Sequence, residues 1–390
     1  MNDGKEGSPT SSFDRLRRRD FLAVLAGSAV ASCTSSPGSD GSDTLDSFGE
    51  DFWFDGLSFL PEDMNDIAQS GLSAMICDVS QVEEVRDPDG TPRYQRNFEV
   101  NDKALDQAIA KITASDQVFL ATKGSQLLEG GVENGAAAFL QFQSCETIGD
   151  DLERIGYFHR KGLRILQLTH HNNNRFAGGA IEPEQSGMTD FGRDGLAEMN
   201  RVGILPDVAH GSVATINEAA RRSTSPVVYS HGACRALLDH PRCINDEGIR
   251  AIAEKGGVVG IFMMSFWLTK DPEPNIGHLL AHIRHVIKVG GIEAVGISND
   301  FPMSGQQNLR KLNNDNAAGV KEYLGWWRAM RELGIPGYEE DPAHVVIPEL
   351  NNINRMATIK RALEDDGFSA KDISRIMGLN FARVMTDALG

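Results

Sequence analysis

From Asp51 onward the chain keeps to one rhythm: a short β-branched or apolar run, then a longer stretch in which apolar residues return every three or four positions. A brief apolar run bounded by turn residues suits a strand buried on both faces, and three- and four-residue spacing suits a helix with one buried stripe. Alternating the two favours a parallel sheet, because a parallel neighbour is reached only by a crossover, usually a helix. The strand candidates are Phe52–Leu57, Ala74–Val79, Val118–Thr122, Ile165–Thr169, Ile204–Val208, Val227–Ser230, Val258–Phe262 and Ala294–Ser298. Between them lie helix-compatible pieces such as Leu105–Thr113, Ile148–Lys161, Gly192–Val202, Ser212–Arg222, Ile249–Lys255 and Ile276–Val289. Eight such runs fit an α/β fold, a closed (β/α)8 TIM-type barrel. An open doubly wound sheet is set aside, because no glycine-rich phosphate loop follows the first strand and polar residues gather at many strand ends.

The stretch from Pro302 to His344 interrupts the rhythm and reads as an inserted loop with a helix inside it, after strand eight. An insertion there lies over the catalytic face, as a lid or as a packed excursion. Asn351–Glu364 and Ala370–Ala388 read as helices that complete the outer ring.

With 390 residues, 41% of them hydrophobic, the chain has enough for one barrel behind a leader. Arg17, Arg18 and Arg19 precede Asp20-Phe21-Leu22 and a short apolar stretch to Ser32, the order of an export signal, and Arg18-Arg19-x-Phe21-Leu22 resembles a twin-arginine address. Val30-Ala31-Ser32-Cys33 resembles a lipobox, whose cysteine would be acylated, and the Ser-, Gly- and Asp-rich residues after it read as a tether. The expected organisation is an export signal over 1–32, a flexible tether over 33–48 and the barrel over 49–390. A periplasmic or lipid-anchored protein, tied to the membrane through Cys33, follows. The formal charge of −17 and the lack of a basic stripe after the leader argue against a nucleic-acid partner. Cys77, Cys145, Cys234 and Cys243 show no scaffold spacing, so a Cys234–Cys243 bridge and buried free thiols both remain open.

Polar residues at the strand ends carry the chemistry. Gly131-Val132-Glu133-Asn134 follows the third expected strand, Leu168-Thr169-His170 ends the fourth, Asp207-Val208-Ala209-His210 the fifth, Tyr229-Ser230-His231 the sixth and Gly296-Ile297-Ser298-Asn299-Asp300 the eighth. A barrel of this kind builds its active site at those ends. Burying several imidazoles and carboxylates together without a metal or substrate would strand polar groups. Two histidines and a glutamate make a zinc set with one position open for water, which assigns Glu133, His210 and His231 as ligands.

These motifs, with the closing Gly378-Leu379-Asn380-Phe381-Ala382-Arg383-Val384, resemble the successive motifs of the membrane (renal) dipeptidase family, in family order across nearly all of the chain after the tether. The resemblance implies a metallodipeptidase acting on a small dipeptide-like substrate. Within that family the glutamate bridges two zinc ions and the paired histidines hold one of them. The strand-eight aspartate, here Asp300, assists the attacking water and the leaving amine, and the strand-four histidine, here His170, contacts the scissile group. An arginine downstream of the second histidine, here Arg242, receives the substrate carboxylate. Family members often form homodimers. One departure stands out: the family opens its barrel with Asp-Gly-His-x-Asp, whereas this chain reads Asp55-Gly56-Leu57-Ser58-Phe59, and neither Leu57 nor Phe59 can bind a metal. The expectation is therefore one zinc ion rather than two, with Asp300 as general base. A pocket reshaped for another amide or a lactone, and a noncatalytic ligand-binding barrel, are the alternatives.

Overall fold

The computed structural model describes residues 47–49, 51–86, 92–131, 134–305, 324, 325, 327, 328, 331, 332, 338–342 and 344–390. Eleven strands lie among them: β1 (Phe54–Ser58), β2 (Ala74–Asp78), β3 (Glu83–Arg86), β4 (Pro92–Gln95), β5 (Val118–Leu120), β6 (Ala136–Phe142), β7 (Leu163–Gln167), β8 (Leu205–Asp207), β9 (Val228–Gly232), β10 (Val258–Ile261) and β11 (Val295–Ile297). β3 and β4 form a separate antiparallel hairpin. The rest make one parallel sheet in the order β1-β2-β6-β7-β8-β9-β10-β11. The last strand meets the first where the Asp300 N–H donates to the Leu57 carbonyl at 2.9 Å. Eight parallel strands thus close into the expected barrel.

One expected barrel strand is corrected. Val118–Thr122 does contain a strand, β5, but the third place in the barrel belongs to β6, between β2 and β7. β5 pairs with the first half of β6, Val118 to Ala136 and Leu120 to Ala138, and β7 takes over that edge from Leu140 onward. Ala136-Ala137-Ala138-Phe139-Leu140-Gln141-Phe142 is buried along its whole length. It shows no alternation, and its opening alanines have weak strand preference, so the sequence signal is poor.

Five outer helices begin at side-chain caps. Asn97, Thr189, Ser212, Asn245 and Asn275 accept from backbone N–H groups at the starts of Phe98–Thr113, Asp190–Val202, Val213–Arg222, Asp246–Glu254 and Ile276–Gly290. Such a cap is worth about 1 kcal/mol. The C-terminal helical region runs as Ala370–Ser374, a π-helical stretch Arg375–Leu379, and Asn380–Leu389. Here Asn380 donates to the carbonyls of Ile292 and Val295. Phe381 enters the barrel interior and stacks on Phe54 with centroids 5.2 Å apart. Only glycine admits this ring: a Cβ on Gly56 or on Gly296 would lie 2.4 Å from it.

Of the insertion after β11, most lies outside the described residues. Trp327 is buried, packs edge-on against Phe266 at 5.1 Å and lies 4.5 Å from Tyr338. The returning strand residue Val346 bridges to Met264 just past β10. The export signal and all but the last two residues of the tether, Ser47 and Phe48, lie outside the described residues as well, and Phe48 packs on Phe52. Cys77, Cys145, Cys234 and Cys243 are buried free thiols. Among the described residues no helix is long and apolar enough to cross a membrane.

Candidate metal centre and carboxylate clamp

The strand ends bring four imidazoles together. His170 and His171 follow β7, His210 follows β8, and His231 lies within β9. The ring of His170 stacks on His210 at 4.3 Å, and His171 crosses both edge-on. His210 is the hub: its Nδ1 lies 3.2 Å from His171 Nδ1, and its Nε2 lies 2.8 Å from His231 Nε2. Asp300 completes the mouth, with Oδ2 3.8 Å from His231 Nε2.

The backbone is strained to achieve this. Among the described residues four non-glycine residues have positive φ, and three of them are His171 (55°), His210 (63°) and Asp300 (49°). A left-handed residue reverses the chain within one step and turns its side chain over the barrel mouth; such strain persists only where surrounding bonds hold it. At His210 the carbonyl accepts from Ala180 N at 2.8 Å and Thr169 Oγ1 at 3.2 Å.

Beneath the histidines, Asp207 organises the layer. Its carboxylate accepts from Gln141 Nε2, Ser230 Oγ, Ser230 N and Ala209 N at 2.5–3.1 Å. Burial pushes the Asp207 carboxyl up and its four donors pull it back; with those donors in place the Ser230 hydroxyl donates to Asp207 and accepts from His231 Nδ1 at 2.8 Å. The Nε2 lone pair of His231 is left facing His210.

Arg242 lies beside this pair, 1% exposed. Its Nη1 donates to the Tyr229 hydroxyl at 2.7 Å, and that hydroxyl donates back to the Arg242 carbonyl. Its Nη2 donates to the His231 carbonyl at 3.1 Å and lies 3.0 Å from His210 Nε2. The rings of Tyr229, Phe262 and Trp267 surround the guanidinium at 5.5–5.7 Å. Among the described residues no carboxylate ion pair reaches it, and its Nε has no hydrogen-bond partner. A buried cation so placed is poised for an anionic ligand.

Burial and the nearby guanidinium hold His210 and His231 well below the usual imidazole range, burial does the same for His170, and it takes His171 to about 3. The rings are neutral, with lone pairs available. Burial pushes Asp300 up to about 8, against the pull of Arg242 and with a further push from Asp78 and Asp55. The contact between His231 and Asp300 is thus one of neutral groups. Nitrogen donors converging at ligand distances, with a carboxyl beside them, fit a zinc-class ion.

The structure brings together His170, His210, His231, Arg242 and Asp300. Glu133 lies outside the described residues. Gly131 and Gly135 pair with one another before β6 begins. Leu57 is fully buried in the apolar set with Phe54, Phe139 and Phe381, so strand one offers packing and, as expected of an apolar residue there, no metal ligand. Sequence reasoning missed His171, Asp207, Ser230 and Tyr229; the doubled His170-His171 was the legible signal.

The membrane dipeptidase (peptidase family M19) model matches residues 63–318. Dipeptidase tcpJ of Claviceps purpurea (strain 20.1) is 25% identical over 279 residues, covering 70% of this chain and 56% of that protein. Dipeptidase verJ of Clonostachys rogersoniana is 31% identical over 191 residues, 48% of each. The chain thus spans about half the length of these relatives. An amidohydrolase from Pseudomonas aeruginosa has the same fold, with a TM-score of 0.73 at 24% identity over 89% of this chain and 99% of that one. With the family's model covering most of the barrel, this chain belongs to the membrane dipeptidase family, peptidase family M19.

Proposed function

We propose that the chain is an exported zinc-dependent dipeptidase with one metal ion at the His210–His231 face. The observation that carries this reading is the pairing of the two Nε2 atoms, 2.8 Å apart, with a buried guanidinium that has no carboxylate partner among the described residues. His210 and His231 would hold the ion, which when bound supplies Lewis acidity and a water with a pKa near about 7.

The chain's own groups do the rest. Arg242 receives the terminal carboxylate of the dipeptide through its planar fork, in a wall of aromatic rings that excludes water. With a cation held at His210 and His231, Asp300 would be ionised, so that it takes the proton of the attacking water and returns it to the leaving amine; burial, which favours its acid form, eases the return. His170, neutral and stacked on His210, donates to the oxyanion that develops at the scissile carbonyl. The Arg18-Arg19 leader and Cys33 support a location outside the cytoplasm, at the cell envelope.

The test is turnover of a panel of L-L and L-D dipeptides by zinc-loaded and chelated protein. Hydrolysis of at least one member, lost on chelation, supports the reading, and zinc-loaded protein that cleaves none of them overturns it. The apolar burial of Leu57 favours a second reading, a barrel that binds dipeptides without cleaving them. Binding without turnover, unchanged in Asp300→Ala, would select it.

A further inference from the structure

We propose that Arg355 is the positioning residue of Asp300: its guanidinium gathers the carbonyls of the three residues that follow Asp300 and so keeps that carboxyl turned over the barrel mouth. The proposal rests on the reading of Asp300 as the proton carrier. Arg355 opens the helix Arg355–Asp365, 54 residues beyond Phe301, and is 2% exposed. Its Nη2 donates to the Pro302 carbonyl at 2.6 Å and to the Met303 carbonyl at 2.9 Å, and its Nη1 donates to the Phe301 carbonyl at 3.4 Å. Its Nε donates to the Asn352 carbonyl at 3.0 Å. One side chain therefore ties the chain entering the insertion to the chain leaving it, at the end of β11.

In an extended strand successive carbonyls point alternately to either side. Three in a row aimed at one point repel one another, and a planar cation with five donors is suited to hold them. Burial lowers the Arg355 pKa to about 10, with Asp55 pulling it back up, so the guanidinium is charged at neutral pH. All four of its hydrogen bonds among the described residues end on main-chain carbonyls. Arg355 thus fastens backbone, where Arg242 faces the imidazoles.

These bonds bracket Asp300 from both sides. Before it, Asn299 is fixed to Asp55 through its backbone N–H and its Nδ2. The Asp300 N–H is spent on the Leu57 carbonyl at 2.9 Å. After it comes the Arg355 grip. Between the two holds Asp300 stands at φ 49°, a strained conformation that persists only where the surroundings over-determine it. With the second hold removed the residue can relax, and its Oδ2, 3.8 Å from His231 Nε2, leaves the mouth.

The experiment compares zinc-loaded full-length wild type with Arg355→Met, which removes the cation, and Arg355→Lys, a point charge that reaches only part of the carbonyl set. In Arg355→Met kcat for dipeptides should fall on the order of 100-fold, as expected for a misplaced catalytic group. KM and zinc affinity should stay as in wild type, because binding does not use Asp300. Arg355→Lys should recover part of kcat. A folded Arg355→Met with wild-type kcat would overturn the proposal, and so would losses of kcat, KM and zinc affinity that run in parallel with melting temperature. If Arg355→Met does not fold, Arg355→Lys decides in the same way: lowered kcat at unchanged KM supports the proposal, and wild-type kcat defeats it. Crystal structures of wild type and Arg355→Lys read the same point without turnover. Asp300 should leave its positive φ and its place beside His231 in the variant; if it keeps both, Arg355 only fastens the insertion. Wild-type protein that cleaves no dipeptide sinks the dipeptidase reading, and the crystallographic comparison then still decides whether Arg355 places Asp300.

Discussion

Asn299 reaches across the seam of the barrel and donates to Asp55 twice, from its backbone N–H at 2.8 Å and from its side-chain Nδ2 at 2.7 Å. The Leu57 N–H is a third donor at 3.2 Å. Burial outweighs these bonds and lifts Asp55 from 3.8 to about 6. The native chain therefore keeps a proton that the unfolded chain has lost between about pH 4 and pH 6, and stability falls as pH rises through that window. Urea unfolding of wild type and Asp55→Asn at several pH values reads this directly. The difference between them should change by on the order of 3 kcal/mol across the window. A constant difference would place the titration elsewhere.

Arg242 should act on substrate binding through its fork. Arg242→Ala should raise KM for dipeptides by roughly 10–100-fold, the loss of a charge-assisted bond of about 1.5–3 kcal/mol. Arg242→Lys should recover little, because an ammonium is a point charge. Dipeptides amidated at the C-terminus supply the check. If the variant harms them as much as free acids, Arg242 serves His210 and not the carboxylate.

Ser230 sits between Asp207 and His231 and fixes which nitrogen of that imidazole carries the proton. Ser230→Ala should weaken zinc binding about 10–100-fold by freeing the ring and its tautomer. Competition with a chromophoric chelator measures it. Unaltered affinity would mean that packing alone orients His231.

A methyl group at Gly56 would meet the Phe381 ring at 2.4 Å and the Ser230 carbonyl at 2.8 Å. Gly56→Ala should therefore cost about 1–3 kcal/mol or more. Adding Phe381→Leu should return part of that loss, since the two positions share one volume. Simple additivity of the two losses would mean that the clash is relieved elsewhere.

The barrel was legible because seven of its strands are short apolar runs with clear turn boundaries, and the ends of β2, β7, β8, β9 and β11 carry histidine or aspartate. β6 was not, because a strand buried on both faces has no alternation, and Ala136-Ala137-Ala138 reads as anything. That omission moved the third strand to β5; Glu133, assigned as following it, lies outside the described residues. His210, His231 and Asp300 stood out because each ends a strand. His171 and Asp207 did not: a ring turned inward by a left-handed backbone, and an acid satisfied by four donors, depend on φ and on register that residue type does not reveal.

Phe381 also sets an order of events during synthesis. The space bounded by Phe54, Gly56 and Gly296 is filled by a ring that leaves the ribosome only after all the barrel strands have emerged, although Phe54 lies in the first of them. Until then the nascent strands surround a void and expose apolar edges to the cytosol. A chaperone that shields such edges has its longest task on this chain before residue 381 appears, and translation stalled short of that point should yield protease-sensitive product.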